Sequence, residues 1–378
     1  MSYKICKNCV MDTSDPSITF DDNGQCSHCN SFYKNTLPAW QKLLSNREAL
    51  FKLKEDIKLR SDPKGDYDCL IGLSGGIDSS YLLHLAVNKL NLNPLVFHVD
   101  AGWNSNIATS NIENLINNLN VDLYTEVINW REMRDLQISF LKSGVPHVDS
   151  PQDYAFFATM YNYANKHNIK TILTGANYST ECIRNPIDWM YFQSDSLQLK
   201  DIHKKYGSKK FLNEFPTTSI LWHKFWLPYI RRIKVFAPLD FVPYSKKGAM
   251  KFLQENFNWK PYKQKHFESR FTKFYEGFWL PKRYGFDVRL VQFSSLILTK
   301  QMSRDEAIKE LSKAPYDEDS ISKEIEYVSN KLEISQKELL EYLDIPKKTY
   351  KDYKNQSEIY KLGTQIFRLF KLGMAAKR

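Results

Sequence analysis

Two groups of residues in this chain have types and spacing suited to chemistry. The first is Ser74-Gly75-Gly76-Ile77-Asp78-Ser79-Ser80. It follows the apolar run 69–73, which reads as a buried parallel strand, and it precedes a helical pattern starting at Tyr81. A glycine-rich turn between a strand and a helix leaves unpaired N–H groups and the positive end of the helix dipole facing an anion. Gly75 and Gly76 let the backbone approach phosphate oxygens closely. Ser74, Ser79 and Ser80 add hydroxyls, and Asp78 adds a carboxylate that can hold Mg2+ beside the phosphates. No Gly-Lys-Ser/Thr follows, so the turn is not a Walker A loop.

The second group is Cys6-x2-Cys9 and Cys26-x2-Cys29. Each pair can offer two thiolates to one ion, and four cysteines make a closed, tetrahedral, structural zinc site. An iron–sulfur cluster is the competing occupant. The spacer has hairpin chemistry, with β-prone Ile18-Thr19-Phe20 ahead of the turn cluster Asp21-Asp22-Asn23-Gly24. So short a segment cannot bury a core of its own, and the metal would hold it together. His28 lies inside the second pair and reads as a bystander to a complete tetrad.

These groups need elements to position them. Residues 94–100 read as a second strand, 121–128 as a third, 154–167 as a helix, 171–174 as a fourth strand and 235–239 as a fifth. Strands alternating with helices over short connections predict an α/β fold with a doubly wound parallel sheet and ligands at the carboxyl ends of the strands. Asp100, at the end of the second strand, is a candidate for ribose or adenine contact, with a strand-end turn as the competing reading. Towards the C-terminus, Ser303-x-x-Glu306 is a capping box opening a helix to about residue 313. Ser335-x-x-Glu338 opens another that closes before Pro346, and 320–332 also reads as helical. The expected division is a four-cysteine, zinc-ribbon-like segment with a linking helix (1–60), a nucleotide-binding domain (61–245), and a basic aromatic segment with a helical C-terminal domain (246–378).

The 378 residues carry 53 Lys and Arg against 43 Asp and Glu, a net charge of +10 that favours an anionic partner. Residues 201–300 hold 20 of those cations against 7 carboxylates, together with 23 of the aromatics. Such a segment suits a nucleotide or sugar pocket, a nucleic-acid surface, or a solvated basic face over an aromatic core. Phe267, Phe271, Phe274 and Phe278 form a helical stripe, read as core packing. No run of about 18 uncharged apolar residues is present, so no membrane span is expected. The N-terminus lacks an apolar signal core, and cytoplasmic residence is the expectation. In that compartment six cysteines point to metal or chemistry rather than disulfides.

The Ser74–Ser80 loop resembles the SGGxDS signature of the PP-loop, or N-type, ATP pyrophosphatase family, with every fixed position matched. The resemblance implies ATP cleaved between its α- and β-phosphates, with Mg2+. It also implies ATP or Mg2+ contacts from a GHNxDD/E-like segment after the fourth strand. Here that segment keeps Gly175 and Asn177 but has Ser179 and Thr180 where carboxylates are common, leaving Glu181 as its one carboxylate. The cysteine tetrad, this loop and three further stretches resemble the N-acetyl sugar amidotransferase branch of that family. The stretches are 266–274, 280–287 and 301–307, and the resemblance runs from Cys6 to about Leu311.

That branch belongs to surface-polysaccharide and flagellin-glycan pathways. The resemblance implies conversion of an acetamido group on a nucleotide-activated sugar to acetamidino, through an adenylated imidate. Lys273 and Arg270 are the candidates for neutralising the departing pyrophosphate, beside Asp78. Ammonia would come from a separate glutaminase subunit, because Ser2 stands where an N-terminal nucleophile would be cysteine and neither Cys69 nor Cys182 is flanked by glycines. The C-terminal helices could dock a partner or pair two copies of the chain, with a solvated cap as the default. The rival reading is a PP-loop tRNA-modifying, thiolase-like enzyme, which the basic segment would suit. Those thiolases resemble one another in a further cysteine pair before the fourth strand, and residues 144–151 contain none. A non-catalytic ATP- and zinc-binding scaffold is a third reading, disfavoured by the intact loop.

Overall fold

The computed structural model describes residues 3–208, 212–262, 264–316 and 318–369. Ser2, named above, and the end of the 246–378 segment lie outside the described residues. The apolar runs pair into one five-stranded sheet in the order β3-β2-β1-β4-β5, parallel throughout. The strands are β1 (Cys69–Gly72), β2 (Pro94–Asp100), β3 (Leu123–Val127), β4 (Thr171–Leu173) and β5 (Lys234–Phe236).

Alternation along each strand sends side chains to two cores. Leu70, Phe97 and Ile172 face one, with Met133, Phe140, Tyr154 and Phe271 from helices Trp130–Ser143, Ser150–Lys166 and Arg270–Phe274. Cys69, Ile71, Val96 and Leu173 face the other, with Leu82, Ile112 and Leu253 from helices Ile77–His84, Asn106–Leu119 and Lys246–Phe257. Helices therefore cover both faces, and the sheet is doubly wound as expected for a PP-loop-type fold. The chain leaves β1 towards β2 on one side and reaches β4 on the other, so the switch point lies between β1 and β4. Crevices at such points hold ligands at the carboxyl ends of the strands.

Some expected boundaries shift for physical reasons. β5 stops at Phe236 because Pro238 starts a 3-10 turn, Pro238–Phe241. The helix expected over 154–167 begins earlier, at Ser150, with Pro151 in its first turn, where a missing N–H costs nothing. Phe271, Phe274 and Phe278 are buried as a stripe. Phe267 falls before the helix, because Ser269 caps its start by accepting from the Thr272 N–H.

The four-cysteine segment packs through Val10, Met11 and Phe32 on Leu290, Val291 and Leu298 of helix Arg289–Leu298. The Val10 N–H donates to Ser294 Oγ at 3.2 Å. The C-terminal part is helical: Arg304–Leu311 carries the complete capping box of Ser303 and Glu306, followed by Glu318–Leu332, Gln336–Glu341 and Ser357–Leu369. No helix among the described residues is long and apolar enough to cross a membrane.

Candidate functional site

At the switch point the Ser74–Ser80 turn is held from behind. The Gly75 carbonyl accepts from Trp259 Nε1 at 3.0 Å, the Tyr262 hydroxyl at 3.2 Å and Asn111 Nδ2 at 3.4 Å. Gly75 has φ +81°, and a Cβ there would lie 2.8 Å from the Ala108 carbonyl oxygen. A Cβ on Gly76 would meet Glu268 Oε1 at 2.6 Å. Gly75 is therefore required by space as well as by its left-handed turn, whereas at Gly76 the flexible Glu268 carboxylate would have to move aside. Gly76 caps helix Ile77–His84, which opens the free N–H groups of its first turn towards the crevice. Ser74 Oγ bonds Ser79 Oγ and Glu268 Oε1, each at 3.2 Å. Ser80 is fully buried, with its hydroxyl unpartnered in the core.

Asp78 is the hub. Its Oδ1 accepts from the Tyr244 hydroxyl at 2.6 Å and Asn177 Nδ2 at 3.2 Å, and its Oδ2 accepts from Lys265 Nζ at 2.9 Å. Lys265 Nζ also reaches Glu181 Oε1 at 2.6 Å. The two strand ends thus meet: Asp78 follows β1, Asn177 and Glu181 follow β4, and the lysine bridges them. A Cβ on Gly175 would lie 2.9 Å from the Ser79 nitrogen, so only glycine admits this approach. Burial alone would raise the Asp78 pKa, but Lys265 and the Tyr244 hydroxyl more than offset it and hold the carboxyl below its usual range. Burial would lower the Lys265 pKa, and the two carboxylates outweigh it, so the ammonium stays charged.

The remaining expected contacts fall as follows. Asp100 Oδ1 accepts from the Gly102 N–H at 2.8 Å and so caps its own strand-end turn. Ser179 is buried and donates to the Tyr244 carbonyl at 2.6 Å. Arg270 and Lys273 turn to helix Glu318–Leu332, where Glu324 accepts from Arg270 Nε at 2.9 Å and Lys273 Nζ at 2.8 Å. The Arg270 guanidinium also lies 3.4 Å from the centroid of Tyr327. The cation that touches the loop's aspartate is Lys265, and the acid that touches the loop's serine is Glu268. Sequence reasoning passed over both, because 260–269 has no helical or strand period to say which way a side chain points. Their one signal is that they lie within the stretch of mixed charge and aromatics ahead of Arg270.

The four cysteines converge as expected. All are buried and free of disulfides, and their sulfurs lie within 4.8 Å of one another. Cys6–Cys29, Cys9–Cys26 and Cys26–Cys29 are separated by 3.8, 3.7 and 3.6 Å. A tetrahedral ion with metal–sulfur bonds of about 2.3 Å sets its sulfurs ~3.8 Å apart, so the arrangement fits one ion. Backbone N–H groups of Asn8, Met11 and Cys26 point at the sulfurs, as suits thiolates. His28 Nε2 bonds Asp15 at 2.7 Å, outside the tetrad. Arg304 donates to the carbonyls of Cys6 and Cys9, and Gln301 donates to the Ser179 carbonyl at 2.7 Å. The stretch 301–307 therefore ties the cysteine cluster to the loop after β4.

Residues 268–367 match the family described as "LPS biosynthesis protein WbpG-like, C-terminal domain". The match starts at Glu268, which accepts a hydrogen bond from Ser74 of the Ser74–Ser80 turn. An uncharacterised protein, MJ1599, of Methanocaldococcus jannaschii is 30% identical over 141 residues, 37% of this chain and 47% of that protein. The chain thus spans about half the length of that curated relative. Among solved structures, NMN synthetase from Francisella tularensis is 16% identical with a TM-score of 0.28, over 63% of this chain and 92% of its own. The U34-tRNA thiolase NcsA from Methanococcus maripaludis, solved with its [4Fe-4S] cluster, is 16% identical with a TM-score of 0.30, over 70% and 74%. The NH3-dependent NAD synthetase from Campylobacter jejuni is 17% identical with a TM-score of 0.28, over 60% and 99%. Scores of this size carry nothing further, and the fold stands on its own strand order.

Proposed function

We propose that this chain is an ATP-dependent amidotransferase of the PP-loop type, acting on an acetamido group of a nucleotide-activated sugar in surface-glycan biosynthesis. One observation carries the reading: the first residue of the WbpG-like match, Glu268, bonds Ser74 of the phosphate loop. The segment similar to a lipopolysaccharide-biosynthesis domain and the nucleotide loop therefore build one site.

ATP is bound by the loop, its phosphates on the N–H groups opening helix Ile77–His84. Asp78 and Glu181, already converging on one cation, would hold Mg2+, which offsets phosphate charge when bound. Displaced from that bridge, Lys265 is free to meet the β- and γ-phosphates. The acetamido oxygen attacks the α-phosphorus, and pyrophosphate leaves with the electron pair of the broken P–O bond. Ammonia then forms the new C–N bond, and AMP departs from the same carbon. Arg270 and Lys273 remain candidates for the leaving pyrophosphate or the sugar's own phosphates once ligand competes with Glu324. The cysteine tetrad holds a structural zinc ion, distant in role from the chemistry but coupled to Ser179 through 301–307. A separate glutaminase supplies ammonia.

The test supplies ATP, Mg2+ and ammonium with nucleotide-linked acetamido sugars, and tRNA in a parallel arm. AMP and pyrophosphate formation dependent on a sugar supports the reading. Formation dependent on tRNA alone would make the chain an RNA-modifying enzyme. Full activity with glutamine and no second protein would remove the partner subunit.

A further inference from the structure

The segment 265–276 has two sides. Lys265 and Glu268 face the phosphate loop. His266, Ser269, Thr272 and Glu276 face the start of helix Ser150–Lys166 instead. Ser269 Oγ donates to Gln152 Oε1 at 3.1 Å, Thr272 Oγ1 donates to Asp149 Oδ2 at 2.7 Å, and His266 Nδ1 bonds Glu276 Oε1 at 3.0 Å. Asp149 and Asp153 are one turn apart on one wall, and Glu276 is one turn beyond Thr272 on the other.

Charge does not balance there. Among the described residues, Asp149, Asp153 and Glu276 meet one cation, His266, because Lys265 is committed to Asp78 and Glu181. Asp149 and Glu276 are 5% and 4% exposed. A second observation points to a ligand. The Tyr275 hydroxyl, on a side chain 1% exposed, has no hydrogen-bond partner, and neither has Glu276 Oε2. Burial raises the Tyr275 hydroxyl pKa well above its usual range, and the charges of Asp149, Glu276 and Asp153 raise it further. Buried oxygens of this kind are costly to leave unpaired. Carboxylates and a hydroxyl oxygen offer acceptors to a guest that donates.

We propose that this cluster binds the ammonium ion that provides the nucleophile, with Asp149 and Glu276 as counter-charges and the Tyr275 oxygen as a further acceptor. The proposal rests on the amidotransferase reading above. Ammonium gives one proton to a carboxylate of the cluster, becoming NH3 with a free pair. That pair forms the C–N bond at the imidate carbon, the C–O bond to AMP breaks with its electrons on AMP, and one surplus proton leaves with AMP. Burial raises the Asp149 carboxyl well above its usual range and Asp153 to about 7, which makes them competent proton acceptors. The Ser269–Gln152 bond joins this side of the segment to the loop side one residue away.

Two readouts separate this proposal from the function itself. In the first, ammonium is titrated at saturating ATP and sugar against Asp149→Asn, Glu276→Gln and Tyr275→Phe, the last removing only an unpartnered oxygen. KM for ammonium should rise by about tenfold or more, with sugar-dependent ATP–pyrophosphate exchange within about twofold of the parent. An unchanged ammonium KM, or exchange falling in parallel, would overturn the site. In the second, 15N-ammonium line broadening is followed on the full chain without substrates, so it reports even if no sugar is accepted. Broadening should vanish in the Asp149 and Glu276 variants, and persistence there, or no broadening with the parent, means the cluster holds an ordered water only. Absence of sugar-dependent exchange together with intact ammonium binding would fault the function and leave the site standing.

Discussion

Lys265 joins the two strand ends of the site, although the sequence does not single it out. It bridges Asp78 and Glu181 from within a stretch that has no periodicity, so its direction was not legible. Arg270 and Lys273 were legible as cations, but their partner Glu324 lies 54 and 51 residues further on, beyond the reach of any local pattern. Lys265→Met should lower sugar-dependent AMP formation by about 10²–10³-fold, the scale of losing a positioned charge in a dry site. Lys273→Met should cost less, and equal losses would move the lead role back to Lys273. A pH dependence follows from the cluster beyond Lys265. Burial would lower the His266 pKa, but Glu276 overrides it and raises the ring to about 9. Burial raises Asp153 to about 7. Raised folded-state values mean stability present at low pH and lost as pH climbs, through about 7 for Asp153 and about 9 for His266. Asp149, Glu276 and Tyr275 on this side, and Lys265 and Glu268 from the loop side, shape the curve. The melting temperature should fall between pH 6.5 and 9.5, and His266→Gln should flatten the upper part; a rise over that range would refute the assignment.

At the scale of elements, the strand–loop–helix unit was the most legible part. A short apolar run, two glycines and a helical pattern each demand one conformation, and they agree. Edges were less so. β3 is one of the two edge strands, with Leu123, Tyr124 and Val127 all partly open, so its apolar run overstated its length. Phe267 completed a stripe on paper, but the Ser269 cap started the helix after it. The loop makes a direct prediction. Gly75→Ala would place a Cβ 2.8 Å from the Ala108 carbonyl oxygen at φ +81°, a strain of about 1–3 kcal/mol. The variant should fold with a lowered melting temperature and lose the further rise that ATP gives the parent. An undiminished ATP-dependent rise would show that the loop does not hold the nucleotide.

Across the whole molecule, the first residues and the last third close on each other around the sheet. The cysteine cluster rests on helix Arg289–Leu298 and is clasped by Arg304, while Gln301 reaches the loop after β4. The tetrad's spacing was readable, because two C-x2-C pairs leave few other uses, whereas the clasp was not, because it joins residues nearly 300 positions apart. Elemental analysis should find one zinc ion per chain. Its removal by a chelator should lower the melting temperature and open the segment before Trp40 to protease, and a metal-free chain of unchanged stability would refute a structural role. The central claim is that one site joins ATP cleavage to amidation of a sugar. Mass spectrometry of nucleotide-linked acetamido sugars, incubated with the chain, ATP, Mg2+ and ammonium, tests it most directly. The product should be lighter by about one mass unit, oxygen exchanged for NH, and cationic at neutral pH, with one AMP formed per product. AMP released without any change in the sugar, or no AMP with any acetamido sugar, would contradict the account.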